Sequence, residues 1–158
     1  MKKITFSTVK WVLLLICLPL VSACAWEDLP AYEEAEISAV QLYYRWASNE
    51  KDPVTQEPLV KEQRLNVSSD VNSESGVILL TVTVPDAGGD FTEAVRSGVT
   101  TNPLWGQVTV STAARITPIE GTAALGTPDD WGSDRKFSVK AANGNTKTWT
   151  IKIVQFDK

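Results

Sequence analysis

Residues 137–153 read FSVKAANGNTKTWTIKI and contain two segments in which apolar and polar side chains alternate. The apolar positions are Phe137, Val139 and Ala141 in the first segment, and Trp149, Ile151 and Ile153 in the second. Alternation with a period of two is typical of a β-strand with one buried face. Asn143-Gly144 between the segments favours a type I′ turn, whose two central residues both need positive φ. The stretch therefore predicts a β-hairpin.

The same alternation recurs upstream, where turn-forming residues separate short apolar segments. It predicts further strands at residues 40–46, 64–69, 77–84, 107–111 and 115–118. Asp90 and Glu93 have the spacing of a capping box, which predicts one short helix near residues 90–97. About seven short strands predict an all-β fold, and we expect an antiparallel β-sandwich of the immunoglobulin type, without its disulfide.

The N-terminal residues have the composition of a signal peptide. Lys2, Lys3 and Lys10 form a basic region, residues 11–21 are apolar apart from one proline, and small residues follow. The apolar segment is about half as long as the ~20 residues that span a bilayer. We therefore predict that residues 1–23 are a signal peptide.

Val21-Ser22-Ala23-Cys24 resembles the lipobox of bacterial lipoproteins. The resemblance implies that Cys24 is lipidated and becomes the first residue of the mature protein; the alternative is an ordinary secretory signal with a chance cysteine. Two or more acyl chains would suffice for stable membrane anchoring. We expect residues 24–36 to form a flexible acidic tether and residues 37–158 a single β-sandwich domain.

Glu27 and Asp28 lie close to Cys24 and resemble the surface-export signal of Bacteroidetes lipoproteins. This resemblance implies an outer-membrane location, lipid-anchored and facing the cell exterior. The alternative is a solvated linker without a targeting role, which would leave open the side of the membrane that the anchor faces.

Charge and composition exclude several classes of function. Three of the 15 basic residues lie in the predicted signal peptide, whereas all 19 acidic residues follow Cys24, so the mature charge would be −7. An acidic domain repels phosphate backbones, which disfavours nucleic-acid binding. The chain has no histidine and would keep no free thiol after lipidation, which excludes the usual His and Cys catalysis and zinc sites. We expect no cofactor and no catalytic residues.

Carboxylates are the remaining route to catalysis or metal binding. Asp129, Asp130 and Asp134 flank Trp131 on one loop, and two such groups could serve a small glycosidase. The same oxygens could bind Ca²⁺, although they lack a regular ligand spacing. The alternative, which we favour, is a solvated acidic loop, so no metal site is predicted.

Five tryptophans follow the signal peptide, and two of them are expected in the core, Trp46 and Trp149. Trp105 and Trp131 are predicted in loops, where a ring could contact a ligand or partner or cover the end of the core. Tyr43 and Arg45 face outward on the first predicted strand and are further candidates for partner contact, unless they are plain surface.

Residues 115–121 (RITPIEG), Trp131 and residues 137–153 together resemble a bacterial immunoglobulin-like domain of unknown function. That domain recurs in Bacteroidetes surface lipoproteins, and the last 40 or so residues match it best. The resemblance implies fold and location. Such domains accompany SusC/SusD-like nutrient transporters, glycan binding or larger surface proteins, and no catalytic residues are defined for them.

These observations favour a non-catalytic outer-membrane lipoprotein that acts as an accessory binding or scaffold subunit. Its expected partners are the membrane, through Cys24, and an outer-membrane transporter complex of the SusC/SusD type or a polysaccharide. An adhesion or pilus-like assembly subunit is the alternative, and a carboxylate-dependent glycosidase is a weaker one.

Overall fold

The computed structural model describes residues 31–158, which form nine β-strands and one short helix. In chain order these are β1 (Ile37–Lys51), β2 (Pro58–Arg64), β3 (Asn66–Asn72), β4 (Val77–Thr83), α1 (Glu93–Ser97), β5 (Leu104–Val110), β6 (Arg115–Ile119), β7 (Pro128–Asp129), β8 (Arg135–Lys140) and β9 (Thr146–Asp157). The strands form a four-stranded sheet with the order β2-β1-β5-β7 and a five-stranded sheet with the order β3-β4-β9-β8-β6. The predicted all-β sandwich is confirmed, with nine strands where about seven were expected.

The predicted strand at residues 64–69 is in fact the junction of two strands in different sheets. β2 ends at Arg64 and pairs with β1, whereas β3 begins at Asn66 and pairs with β4. Leu65 between them is 1% exposed, and its N–H donates to the Leu42 carbonyl at 2.9 Å. The chain therefore crosses from one sheet to the other at a buried leucine.

The pairing of β4 with β9 departs from the antiparallel arrangement that we predicted. The two strands run parallel, with Val77 opposite Thr150 and Thr83 opposite Asp157, while every other strand pair in residues 31–158 is antiparallel. Parallel neighbours need a long crossover connection, and here the chain between them builds the helix and four further strands. Alternation in the sequence indicates which face of a strand is buried, but it does not indicate whether the strand runs parallel or antiparallel to its neighbour.

The core lies between the two sheets and has the composition predicted for it. Its fully buried side chains come from both sheets and include Leu42, Ile78, Leu80, Phe137, Val139, Trp149 and Ile151. Burial of a side chain of this size stabilises a fold by about 1.5–3 kcal/mol. Trp46, also predicted in the core, is only half-buried and packs at its margin.

The C-terminal hairpin is present, but its turn differs from the predicted type I′. Gly144 has a φ of 97°, whereas Asn143 does not have positive φ. Ala141 N–H donates to Asn145 O at 2.8 Å, and Gly144 N–H donates to Ala141 O at 3.1 Å. This is the pattern of a three-residue loop, in which only the last residue needs a left-handed conformation.

The short helix is confirmed, although its cap lies two residues later than expected. Thr92 is the N-cap, and its hydroxyl accepts the N–H of Val95 at 3.3 Å. Gly88 and Phe91 exchange backbone hydrogen bonds at 2.9 and 3.0 Å, which holds residues 88–91 in a turn before the helix. Asp90 therefore stands at the tip of this turn, where it cannot cap the helix.

The compact unit spans Ala31–Lys158 and so begins before residue 37, the predicted domain boundary. Ala35 is buried, and its carbonyl accepts the indole N–H of Trp149 at 2.9 Å. The Glu36 carbonyl accepts the Ser111 N–H at 3.0 Å, the Glu36 N–H donates to Ser111 Oγ at 2.9 Å, and the Glu36 carboxylate pairs with Lys147 at 2.5 Å. Residues 35–36 of the predicted tether are thus packed on the domain.

The predicted signal peptide, Cys24, and the Glu27 and Asp28 pair lie outside the described residues.

We expect Trp149→Phe to lower the free energy of unfolding by about 1–3 kcal/mol, because it leaves the buried Ala35 carbonyl unpaired and a gap beside the ring. Urea unfolding followed by far-ultraviolet circular dichroism measures this loss. Trp105→Phe is the matched control on a half-buried ring and should cost about 0.5 kcal/mol or less. Equal losses in the two variants would contradict the role assigned to Trp149.

Candidate functional site

Three of the four predicted contact residues come together on the outer face of the four-stranded sheet. Tyr43 on β1 lies directly opposite Trp105 on β5. The guanidinium carbon of Arg45 lies 5.5 Å from the centre of the Trp105 ring, within the range of a cation–π contact. We call Tyr43, Arg45 and Trp105 the outer-face patch. Trp105 was predicted in a loop, but it belongs to β5.

The patch is held in place by the strands beneath it and by polar neighbours. Leu42 and Leu104 are fully buried, so strand alternation directs Tyr43 and Trp105 outward. Arg45 Nε lies 3.0 Å from Glu62 Oε2, and the Tyr43 hydroxyl donates to Gln41 Oε1 at 2.7 Å. The result is a surface of three half-buried side chains, tyrosine, arginine and tryptophan, on paired strands. Such a surface is suited to contact with a partner rather than to catalysis.

Trp131 is not part of this surface, which corrects its prediction as a contact residue. It is 3% exposed, and a Cβ on Gly106 would overlap its ring, so glycine is needed at that position. Its backbone N–H donates to Thr101 O at 2.9 Å. The alternative that we considered, a ring that covers the end of the core, is the one the structure contains.

The three carboxylates beside Trp131 have separate partners. Asp129 Oδ1 lies 2.7 Å from Arg135 Nη1, Asp130 Oδ1 accepts the N–H of Gly132 at 2.9 Å, and Asp134 Oδ2 lies 2.6 Å from Lys152 Nζ. Within residues 31–158 no three acidic, histidine or cysteine side chains lie close enough together to hold a metal ion.

Asp129 is more enclosed than Asp134, with 15% of its side chain exposed against 46%. Burial opposes its ionisation, but hydrogen bonds from Ala123 N–H, Arg135 and Asp130 N–H outweigh burial and hold its pKa below the ordinary range. A glycosidase acid must remain protonated near neutral pH and needs a raised pKa. The environment of Asp129 lowers its pKa instead, which disfavours Asp129 as such an acid.

A cleft that the sequence did not predict lies between the end of the β1–β2 hairpin and residues 88–95. It has a volume of about 350 Å³, and we call it the Trp46 cleft. The residues around it are Trp46, Ala47, Ser48, Asn49, Glu50, Lys61, Gly89, Asp90, Thr92, Ala94 and Val95. No sequence motif marks it, because its walls come from β1, β2, the turn that precedes α1 and α1 itself.

Lys61 links the walls of the Trp46 cleft. Its Nζ lies 2.7 Å from Asp90 Oδ2 and 2.9 Å from Glu50 Oε1. Hydrogen bonds to Asp90 and then to Glu50 raise the pKa of Lys61, so its ammonium stays charged. The side chains of Glu50 and Asp90 are 63% and 66% exposed, which leaves their other oxygens open to solvent.

A second cleft, of about 560 Å³, follows the crossing from β2 to β3. Its lining is mostly polar side chains of β2, β3 and β4, and Arg64 is the only ionisable residue among those that line it. It is an open, shallow surface without an aromatic ring or a carboxylate. It therefore offers less for recognition than the Trp46 cleft does.

We expect Asp129→Asn to destabilise the protein by about 1–3 kcal/mol at pH 7, because the partly enclosed Arg135 loses its counter-charge. An unfolded aspartate has a pKa of about 3.9. The folded pKa is lower, so this stabilisation is present above pH ~3.9 and is lost as pH falls through the folded pKa. Urea unfolding between pH 7 and pH 2 should show the native and variant curves converging at the acid end.

Asp134→Asn is the control, since its pair with Lys152 is more exposed and should contribute less than about 1 kcal/mol. A native–Asp129→Asn difference that stays constant down to pH 2 would contradict the lowered pKa.

Comparison with known proteins places this domain in a family. A family model described as DUF5018-related matches residues 37–152. A crystal structure from Bacteroides fragilis, described as a "putative secreted protein", is 46% identical, with a TM-score of 0.73 over 82% of this chain and 100% of that one. No curated protein matches the chain significantly. Among residues 31–158, no helix is long and apolar enough to cross a membrane. The chain belongs to the DUF5018-related family.

Proposed function

We propose that the protein is a non-catalytic, lipid-anchored binding protein of the outer membrane that docks on a partner protein through the outer-face patch. The observation that carries the proposal is the convergence of Tyr43, Arg45 and Trp105 on one exposed sheet face. Tyrosine, tryptophan and arginine are the residue types that dominate binding energy at protein interfaces.

The geometry of the patch supports docking in two ways. Its side chains stand on paired strands, so little conformational freedom is lost when a partner covers them. Arg45 is already positioned over Trp105 and beside Glu62, which presents a charged and an apolar surface together. Such a surface can fill a partner's pocket while its rim remains hydrogen-bonded.

A non-catalytic role is supported by the chemistry of the chain. Histidine is absent, and the two cysteines lie in the predicted signal peptide and at the predicted lipid site. The glycosidase alternative would depend on carboxylates near Trp131, and the lowered pKa of Asp129 disfavours it as the acid.

The lipobox-like residues and the acidic pair after Cys24 support anchoring in the outer membrane, with the domain facing the exterior. Six residues lie between Cys24 and Ala31, where the compact unit begins, so the chain between these two positions can span at most about 25 Å. A domain tethered this closely to the bilayer would be well placed to meet proteins embedded in it. We therefore propose a transporter complex of the SusC/SusD type as the partner.

The adhesion or pilus-like alternative would need a strand that can be exchanged between subunits. β1 pairs with β2 and β5, and β9 pairs with β4 and β8, so both long strands lie inside their sheets. Releasing either of them would break two ladders. This favours docking of a complete sandwich over strand exchange.

Cys24→Ala should release the protein from the membrane fraction, because the lipid is attached to the thiol. Fractionation of cells that produce the native and variant proteins measures this, and mass spectrometry of the detergent-extracted native protein should show acyl chains on Cys24. Cys17→Ala is the matched control and should remain in the membrane fraction. An unmodified Cys24 thiol would refute the anchor.

The double variant Tyr43→Ala/Trp105→Ala should lose its outer-membrane partner, with recovery falling about ten-fold or more. Chemical crosslinking followed by purification from detergent-solubilised outer membranes measures the amount of transporter recovered per molecule of protein. Leu79→Ala/Val154→Ala removes exposed apolar groups elsewhere on the domain and should retain the partner. Recovery of the native protein alone, or equal recovery with both double variants, would refute docking through the patch.

A further inference from the structure

We infer that the Trp46 cleft is a binding site for a neutral saccharide. The inference goes beyond the docking function, because it concerns a different surface: Trp46 faces inward on β1, whereas Tyr43 and Arg45 face outward. Three features of the cleft support this inference: its size, its aromatic wall and the balance of its charges.

The cleft has the size and mixed lining of a small-ligand site. Its volume of about 350 Å³ lies at the lower end of the range of about 300–1,000 Å³ that is typical of such pockets. One or two sugar rings occupy a space of this order. Trp46, Ala94 and Val95 supply apolar surface, while Asn49 and Thr92 supply neutral polar groups.

The Trp46 ring is in contact with two other aromatic rings. Tyr44 stacks with it at 6.2 Å between ring centres and an interplanar angle of 17°. Phe91 lies 5.7 Å away at 53°. These contacts restrict the orientation of the indole before any ligand arrives, which lowers the entropic cost of binding. A half-buried, preoriented indole is a flat apolar platform for the C–H face of a sugar ring.

The polar groups of the cleft are arranged to accept hydrogen bonds. Glu50 and Asp90 share the single ammonium of Lys61, and most of each carboxylate side chain remains exposed. A carboxylate has about four acceptor positions, so each keeps several for a ligand. Ligand hydroxyls are the natural donors, and hydrogen bonds to a charged acceptor are the stronger kind.

The charges also distinguish between classes of ligand. A cation would approach the two carboxylates, but Lys61 Nζ already lies within 2.9 Å of both and repels a second positive charge. An anion would be attracted to Lys61 but repelled by the two carboxylates around it. A neutral, hydroxyl-rich molecule with an apolar face meets neither penalty and matches both the acceptors and the indole. A saccharide has this chemistry.

Isothermal titration calorimetry of the domain against four hexasaccharides, built from β-linked glucose, α-linked glucose, mannose and xylose, tests the inference. We expect saturable binding of at least one of them. Trp46→Ala should weaken that binding about ten-fold or more, and Asp90→Asn and Glu50→Gln should weaken it about three- to ten-fold. Trp105→Ala, in the outer-face patch, should leave the affinity unchanged.

The carboxylate variants keep the shape of the cleft, so they test the site even if Trp46→Ala disturbs the contact with Phe91. Circular dichroism confirms the fold of each variant. The inference would be overturned if none of the four hexasaccharides bound at about 10 mM. It would also be overturned if the three cleft variants bound a hexasaccharide as tightly as the native protein does, or if the domain bound hexalysine and none of the hexasaccharides. Docking through the outer-face patch would survive each of these outcomes, since its test uses other residues and another partner.

Discussion

Trp149 lies fully buried between the two sheets, and its indole N–H donates to the carbonyl of Ala35, more than 100 residues earlier in the chain. Lys147 adds a second contact between the same two segments, because its ammonium lies 4.4 Å from the centre of the Trp149 ring and also pairs with Glu36. Together these contacts attach the start of β1 to the start of β9. β1 has an irregularity between Ile37 and Ala39, beyond which Val40 and Leu42 face the core. The attached start of the strand and this irregularity together determine which side chains of residues 40–46 face inward.

Both proposed binding surfaces follow from that register. Alternation along β1 places Tyr43 and Arg45 outside and directs Leu42 and Trp46 toward the other sheet. Leu42 is fully buried in the core, whereas Trp46 lies at the margin of the core and therefore forms one wall of a cleft. One strand thus supplies a docking face and a pocket that do not overlap. A shift of β1 by one residue would turn its outward-facing side chains toward the core and its inward-facing side chains toward solvent.

The sequence predicted the features that depend on one strand at a time. Burial of Phe137 and Trp149 and the two-layer fold follow from alternation alone. The parallel β4–β9 pair could not be predicted, because it depends on the order in which distant segments meet. The same limit applies to the sites: the outward direction of Tyr43 was readable, but its position opposite Trp105 depends on the β1–β5 register. Lys61 and Asp90 belong to segments 29 residues apart, and nothing local links them.

The position of β9 has a consequence for biogenesis. This strand, residues 146–157, lies in the middle of the five-stranded sheet, between β4 and β8. Neither neighbour can complete its hydrogen-bonded ladder until the strand between them has been synthesised, and such long-range pairing forms slowly. The five-stranded sheet therefore cannot be completed while residues 31–145 are being made. For the exported, lipid-anchored protein that we propose, this topology delays completion of the core until β9 has been made, and an incomplete core suits passage through a membrane translocon.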